Sequence, residues 1–412
     1  MADILDELNA ATNGHATVAT SDDAVAGMPS SWVARPGSTA ETSAVLKVAA
    51  AHGHTVVVRG AGTKLGWGVP PERVDIVVDT TRMDAVVEHA AGDLIVVVGA
   101  GRSLAQLQDE LGKAGQRLGI DPARRGTVGG AVATGATGPG RLFHGAVRDL
   151  VIGMRFVRPD GVVAHSGGKV VKNVAGYDLG KLLSGSFGTL GVITEVAFRL
   201  HPLPAMQQWV TCPVSEAGGI QRRVSDIVHS QLVPSAVELE RTADGGALAV
   251  LFEGIPPGVA ERVAEAKRLL GAGASETDEA PAWWGSEPES ESGVLLKVTH
   301  EIAHLRELLD ALDGAAAQAD LTATLRGSPA VGTALVGLGH DATAAKVGDL
   351  VARLRERSAS FGGTVVVLEA PDEVRADLDV WGPVSALELM RAVKQQFDPE
   401  RRLAPGRFVG GI

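Results

Sequence analysis

The sequence predicts an α+β protein in two parts, and three observations carry that prediction. Residues 28–204 alternate short β-branched runs with glycine-dense loops. Residues 205–385 repeat one β-α-β-β-α order twice, as a duplicated ferredoxin-like unit does. The chain's 412 residues exceed what one ordinary core holds, so two domains are expected. Residues 1–27 read as an N-terminal helix and polar linker, and 386–412 as an amphipathic helix and tail returning to the first domain.

In chain order, "STAE" (38–41) has capping-box spacing, with Ser38 as N-cap and Glu41 reaching back. It opens a helix through Val45, Leu46, Val48 and Ala49 that Gly53 ends. Strands are expected at 55–58, 75–79 and 94–98. A second box, "SLAQ" (103–106), starts a helix with Leu104, Leu107 and Leu111 on one face. Residues 126–202 are glycine-dense and strand-like, with two strands around Pro159-Asp160-Gly161 and a short helix at 178–184. In the second part, strands at 208–212, 236–240 and 247–253 and helices at 215–231 and 258–270 make the first copy. Strands at 293–298, 321–327, 332–338 and 364–369 and helices at 300–313 and 343–357 make the second. The first copy lacks a clear last strand; an acidic Pro/Ser loop, 275–292, stands in its place.

Composition narrows the function. A net charge of −11 argues against a nucleic-acid partner. The single cysteine, Cys212, rules out a disulfide framework or a self-contained iron–sulfur site. The N-terminus lacks a basic region followed by an apolar core, and apolar runs are only strand-sized. The protein is therefore expected in the cytoplasm without direct membrane insertion, with any peripheral place at the inner face of the membrane reached through partners.

Three glycine clusters stand out. "RGAGTKLGWG" (59–68) follows the run "TVVV" and can line up main-chain amides as a nest for an anion, with Arg59 adding charge. Its G-x-G-x-x-x-G spacing is not a dinucleotide fingerprint or a P-loop. "RRGTVGGAVATGATGPGRLFHGAVRD" (124–149) suits a second wall of one extended, phosphate-bearing ligand. "GGKVVKNVAGYDLGKLLSGSFGTLGVITEVAFRLHP" (167–202) is the third and contains Tyr177, the chain's only tyrosine. A further Gly99–Gly101 pair lacks the third glycine and reads as a strand-to-helix turn.

These clusters, in this order and with the tail "FDPERRLAPGR", resemble the vanillyl-alcohol-oxidase (PCMH-type) FAD-binding domain. They are similar in particular to the E-type, FAD-binding subunits of bacterial glycolate oxidases. The resemblance covers 30–205 and 386–412 and implies a fold of two α+β subdomains with 205–385 as the cap. It implies FAD as cofactor, its diphosphate wrapped by Arg59, Gly60, Ala61, Gly62, Thr63 and Lys64. Thr127, Gly129, Gly130, Thr134 and Gly138 would line it from the other side, and Gly188 and Ile193 would lie near the adenine half. Covalent members carry histidine where this chain has Thr63, so the FAD is expected to be non-covalent.

The C-terminal histidine motifs of the family's catalytic larger subunits and D-lactate dehydrogenases are missing: the corresponding stretches read "ALVGLGHDATA" (334–344) and "LDVWGPVSA" (378–386), and His340 stands alone. No metal site is expected. Hydroxy-acid oxidation needs a base and a cation for the carboxylate. Arg326 is a candidate cation at a strand end, and no catalytic base is singled out. Trp283-Trp284 reads as a loop anchor, or else as a partner contact.

The resemblance thus implies an FAD-dependent oxidoreductase acting on CH–OH groups. It would oxidise glycolate to glyoxylate as part of a glycolate oxidase, with a catalytic flavoprotein subunit and an iron–sulfur subunit as partners. Two alternatives stand beside it: an autonomous FAD enzyme for another 2-hydroxy acid or alcohol, and a non-catalytic assembly module.

Overall fold

The computed structural model describes residues 2–168 and 177–412. Helix α1 (Ala2–Ala11) leads into β1 (Ala16–Val18) and β2 (Trp32–Ala34), followed by α2 (Thr39–His52), β3 (Val56–Arg59) and β4 (Ile76–Asp79). The four strands form a sheet of order β1-β2-β4-β3, in which β4 is parallel to both neighbours and β1 is an antiparallel edge. The expected linker after α1 is therefore an edge strand. Ala16 is the only buried residue of β1, so no alternating pattern betrays it. Leu8 of α1 is fully buried and shares a core with Val45, Leu46 and Ala49 of α2. Ser38 Oγ caps α2 by accepting from the Glu41 amide at 3.1 Å. Glu41 reaches back to the Gly37 amide at 2.7 Å, one residue beyond the box expected. Gly53, at φ 66°, ends the helix in the left-handed region.

Next come β5 (Val86–Ala90), β6 (Ile95–Gly99), α3 (Leu104–Lys113), β7 (Gln116–Arg117), α4 (Val128–Thr134), α5 (Arg141–His144) and α6 (Val147–Leu150). Then follow β8 (Val151–Val157), β9 (Val163–Gly167), α7 (Leu179–Leu183), β10 (Val192–Arg199) and β11 (His201–Pro202). An antiparallel sheet of order β5-β6-β10-β8-β9 carries this subdomain, and β11 pairs with β7. Leu104, Leu107 and Leu111 are buried as their spacing predicts, but Ser103 makes no side-chain cap. One expectation fails in kind: 128–134, expected to be strand-like, is helical. Thr127 caps that helix by accepting from the Gly130 amide at 3.3 Å, and an N-cap hydroxyl here outweighs the poor helix propensity of two glycines.

The cap is one eight-stranded antiparallel sheet built from two β-α-β-β-α-β copies. The first is β12 (Met206–Val214), α8 (Ala217–Val228), β13 (Ala236–Thr242), β14 (Gly245–Gly254), α9 (Pro256–Leu270) and β15 (Ser275–Thr277). The second is β16 (Leu295–Thr299), α10 (Leu305–Ala319), β17 (Ala323–Ser328), β18 (Thr333–Leu338), α11 (Ala344–Ala359) and β19 (Thr364–Glu369). The order β15-β12-β14-β13-β17-β18-β16-β19 reads alike from either edge, so the copies meet as a pseudo-twofold pair at β13–β17. The last strand judged missing from the first copy is β15, paired with β12 at Trp209↔Thr277. It is short and polar, and its Ser275 and Glu276 are exposed, so nothing in its pattern reads as a strand. Ile220, Val263, Leu309 and Leu350, one from each long helix, pack in a single core with Val250, Leu296, Val298 and Val336. The helices thus cover one face of the sheet, and the alternate residues face the first domain.

After α12 (Asp372–Arg375) and α13 (Leu387–Phe397) the chain returns to the first sheet. Leu403 lies in a parallel bridge with Val56, and the Ala404 amide donates to Val56 O at 2.8 Å. A buried ion pair holds the return: Lys394 Nζ donates to Asp398 Oδ2 at 2.7 Å, to Thr189 O at 2.8 Å and to Leu403 O at 3.0 Å. Asp398 also accepts from the amides of Arg402 and Leu403, so both charges are fully hydrogen-bonded away from water.

Candidate functional site

Parallel strand β3 ends at Arg59, and the chain enters the loop 60–68 above α4. Between them lies a cavity of about 90 Å³, closed on a third side by Phe187, Gly188, Gly191 and Ile193. Every residue expected to bind the cofactor lines this cavity except Gly138. Gly138 lines a second cavity, of about 220 Å³, between this domain and the cap. An added Cβ there would meet the carbonyl oxygen of Asp121 at 2.0 Å, so its glycine serves a close backbone approach. The two cavities share Lys64, Thr134 and Phe187 and form one cleft. Of the third cluster, the stretch 169–176, with Lys172 and Asn173, lies outside the described residues.

The walls differ in what they offer. The amides of Ala61, Gly62, Thr63 and Lys64 donate to no protein acceptor among the described residues, and Gly62 is left-handed at φ 74°. That is the nest the sequence suggests. In the second wall, by contrast, the Gly129 amide donates to Ala100 O at 2.8 Å and the Gly130 amide to Thr127 Oγ1. Thr134 Oγ1 donates to Gly130 O at 2.8 Å. This wall contributes surface rather than donors, because the amides of its two helix glycines are already spent on Ala100 O and on the N-cap hydroxyl of Thr127. At Gly188 (φ 74°) an added Cβ would meet nothing nearer than Val58 Cβ at 4.0 Å, and at Gly130 only Thr127 Oγ1 at 3.1 Å. A side chain at either position would occupy the cavity.

Arg59 does not supply the free charge expected of it. Its guanidinium is held by Asp23 at 2.9 Å and Asp79 at 3.0 Å. Burial works against its charge, but the hydrogen bonds to the two carboxylates outweigh burial and raise its pKa. The available cations are others. Lys64 is buried, with its ammonium on Arg124 O at 2.9 Å; burial and then the neighbouring Arg124 lower it to about 8. Arg407, in the tail, is missing from the expected set yet lines the first cavity. Its Nη2 donates to the carbonyls of Lys64, Leu65 and Trp67, fixing the loop, while its buried Nη1 has no partner among the described residues. Burial lowers it to about 10, with Arg375 adding to the effect. The one signal available for it was its place after Pro405-Gly406 in the tail motif.

Free amides, an orphaned buried guanidinium nitrogen and glycines whose Cβ would enter the cavity fit an extended, anionic cofactor. The remaining candidates sort as follows. Added Cβ atoms on Gly99 and Gly101 would meet the carbonyl oxygens of Met83 and Thr80 at 2.1 and 2.0 Å, so that pair serves packing. His340 is exposed and pairs with Glu291 at 3.2 Å; among the described residues no group of His, Cys, Asp or Glu side chains forms a metal-binding set. Trp284 packs edge-on against Trp209, so the tryptophan pair anchors its loop. Tyr177 is 91% exposed. Arg326 lines the second cavity but is bound to Glu240 at 2.6 Å.

Comparison with known proteins agrees with this geometry. Residues 30–167 match the family model of the FAD binding domain, so the chain carries a domain of that type and FAD is its cofactor. A D-lactate dehydrogenase of Archaeoglobus fulgidus is 29% identical over 92% of this chain and 91% of its own length. The glycolate oxidase subunit GlcE of Escherichia coli is 35% identical over 43% of this chain and half of its own length. Among solved structures, alkyldihydroxyacetonephosphate synthase superposes with a TM-score of 0.70 at 16% identity, over 92% of this chain and 77% of its own, and so shares the PCMH-type α+β fold. No helix among the described residues is long and apolar enough to cross a membrane.

Proposed function

We propose, from the premise that residues 30–167 are an FAD-binding domain, that this FAD-dependent oxidoreductase oxidises a 2-hydroxy acid. We take the acid to be glycolate and the chain to be the FAD-binding subunit of a glycolate oxidase complex. The observation that carries the reading is the continuous cleft: a nest of free amides opens, past Lys64 and Thr134, into a cation-lined cavity under the cap. The relatives named D-lactate dehydrogenase and glycolate oxidase subunit support the substrate class.

In this reading the amides of Ala61 to Lys64 hold the diphosphate, and Arg407 Nη1 donates to a cofactor acceptor. Thr63 offers no imidazole, so attachment is non-covalent. When bound, FAD supplies the two-electron acceptor for a hydroxy-acid carbon. Residues of the cap sheet keep bulk water from that carbon and orient the acid. Electrons then leave through a catalytic flavoprotein subunit and an iron–sulfur subunit, in the cytoplasm or at the inner face of the membrane.

Anaerobic titration of the FAD-loaded chain, alone and co-purified with those two subunits, tests the reading. Flavin bleaching by glycolate in the complex but not in the isolated chain is the expected result. Bleaching of the isolated chain by D-lactate or glycolate would make it an autonomous enzyme. A chain that takes up no FAD, or a complex inert to every 2-hydroxy acid, overturns the proposal.

A further inference from the structure

The cap sheet presents a row of side chains to the second cavity. Register aligns Glu240, Arg326, Leu335, Lys297 and Val366 across β13, β17, β18, β16 and β19. Arg326 is neutralised within that row by Glu240. Two strands further along, Lys297 is flanked by Leu335 and Val366, and its ammonium has no hydrogen-bonded or ionic partner among the described residues. Opposite the sheet, Arg141 of α5 lines the same cavity, and its guanidinium likewise has no partner among the described residues.

The surrounding charges do not compensate this pair. Arg124 is bound by Glu287 at 2.8 Å and Glu369 at 2.5 Å, which leaves no spare carboxylate there. Glu238, fully buried and hydrogen-bonded to Ser328, is pushed up by burial to about 8 and is neutral near pH 7. Burial first, then the charge of Arg141, lowers the pKa of Lys297, so the two cations feel one another across the cavity. The indole N–H groups of Trp67 and Trp381, from residues lining the same cavity, also lack acceptors among the described residues. Two unpaired cations brought together from opposite domains in a partly desolvated place require an anion.

We propose that Arg141 and Lys297 are the carboxylate-binding pair of the substrate site, and that they clamp the 2-hydroxy acid between the FAD-binding domain and the cap. This rests on the hydroxy-acid reading above. The clamp moves the carboxylate contact from Arg326, where the sequence suggests it, to two cations of this cavity that have no partner among the described residues. Each domain supplies half of the clamp, so the bound acid bridges them and is oriented by both.

Oxalate, an unreactive dicarboxylate, is the probe. It is titrated by calorimetry into the FAD-loaded chain and its variants. Lys297→Met and Arg141→Met are each expected to weaken oxalate binding at least about tenfold, and Lys297→Arg to stay within about threefold of wild type. Lys297→Met should also raise the melting temperature, because it removes an uncompensated charge; a structural lysine would do the reverse. With a reducing hydroxy acid, in the chain or complex that shows turnover, both Met variants should raise KM more than they lower kcat. Oxalate affinity unchanged in both Met variants, or no oxalate binding to wild type, overturns the clamp. The two readings separate cleanly. Flavin reduction by hydroxy acid with unaltered KM in the variants sinks the clamp alone. Oxalate binding that depends on both residues, without reduction by any hydroxy acid, sinks the activity and leaves the anion site.

Discussion

The two cavities of the cleft are built on opposite principles. The first is made of main chain: free amides at 61–64, glycines at 130 and 188, and one guanidinium nitrogen to spare. The second is made of long side chains far apart in sequence: Glu238, Lys297 and Arg326 on the cap sheet and Arg141 on α5. Main-chain recognition depends on the absence of bulk where the backbone meets the ligand. Side-chain recognition depends on charge balance and can be retuned one residue at a time.

Substitutions break or sharpen the contrast, and the largest effect belongs to the first cavity. Gly130→Leu should lower FAD affinity more than about a hundredfold, since the side chain fills the cofactor's place, while the apoprotein stays folded. Absorbance of the purified variant near the flavin band checks this, and a yellow Gly130→Leu protein would refute the assignment. Arg326→Leu should cost about 1–2 kcal/mol of stability, because the half-buried Glu240 loses its partner, yet should change oxalate affinity less than about threefold. Denaturant melts and calorimetry measure the two readouts separately.

The third effect is a pH dependence. Glu238 has a folded pKa of about 8 against an ordinary value of 4.5. Between those values the folded chain holds a proton that the unfolded chain has lost, so this group makes stability fall as pH rises from about 4.5 to about 8. Glu238→Gln imitates the protonated acid and should flatten that slope, gaining a few kcal/mol at pH 8 and little at pH 4. His144, lowered to about 4 by burial and then by His201, has the opposite sign: its contribution is present above pH 6.5 and is lost as pH falls towards 4. Thermal melts across pH in Glu238→Gln and His144→Leu test both limbs. The smallest effect is structural. Trp284→Ala should lower stability by about 1–2 kcal/mol through lost contact with Trp209, leaving FAD binding intact. A fluorescence titration with FAD alongside the melt distinguishes the two.

Much of the first cavity was legible because its signals are local. Four free amides in a row require small residues in a row, and "GAGTK" is that requirement written in sequence. The helix at 128–134 is not legible, because glycine content argues for loop or strand, whereas the Thr127 hydroxyl and the packing of Gly129 on Ala100 select a helix. Arg59 was credited with a free charge because its partner Asp23 arrives from a segment that reads as linker.

The sequence by itself determined the α+β class, the duplicated cap and the positions where backbone must lie bare, since periodicity and missing side chains are properties of neighbouring residues. Only the tertiary structure decided which cations remain unpaired. Compensation of a charge is a matter of distance in space, and Glu240 reaches Arg326 across a strand pair while no carboxylate among the described residues reaches Lys297 or Arg141.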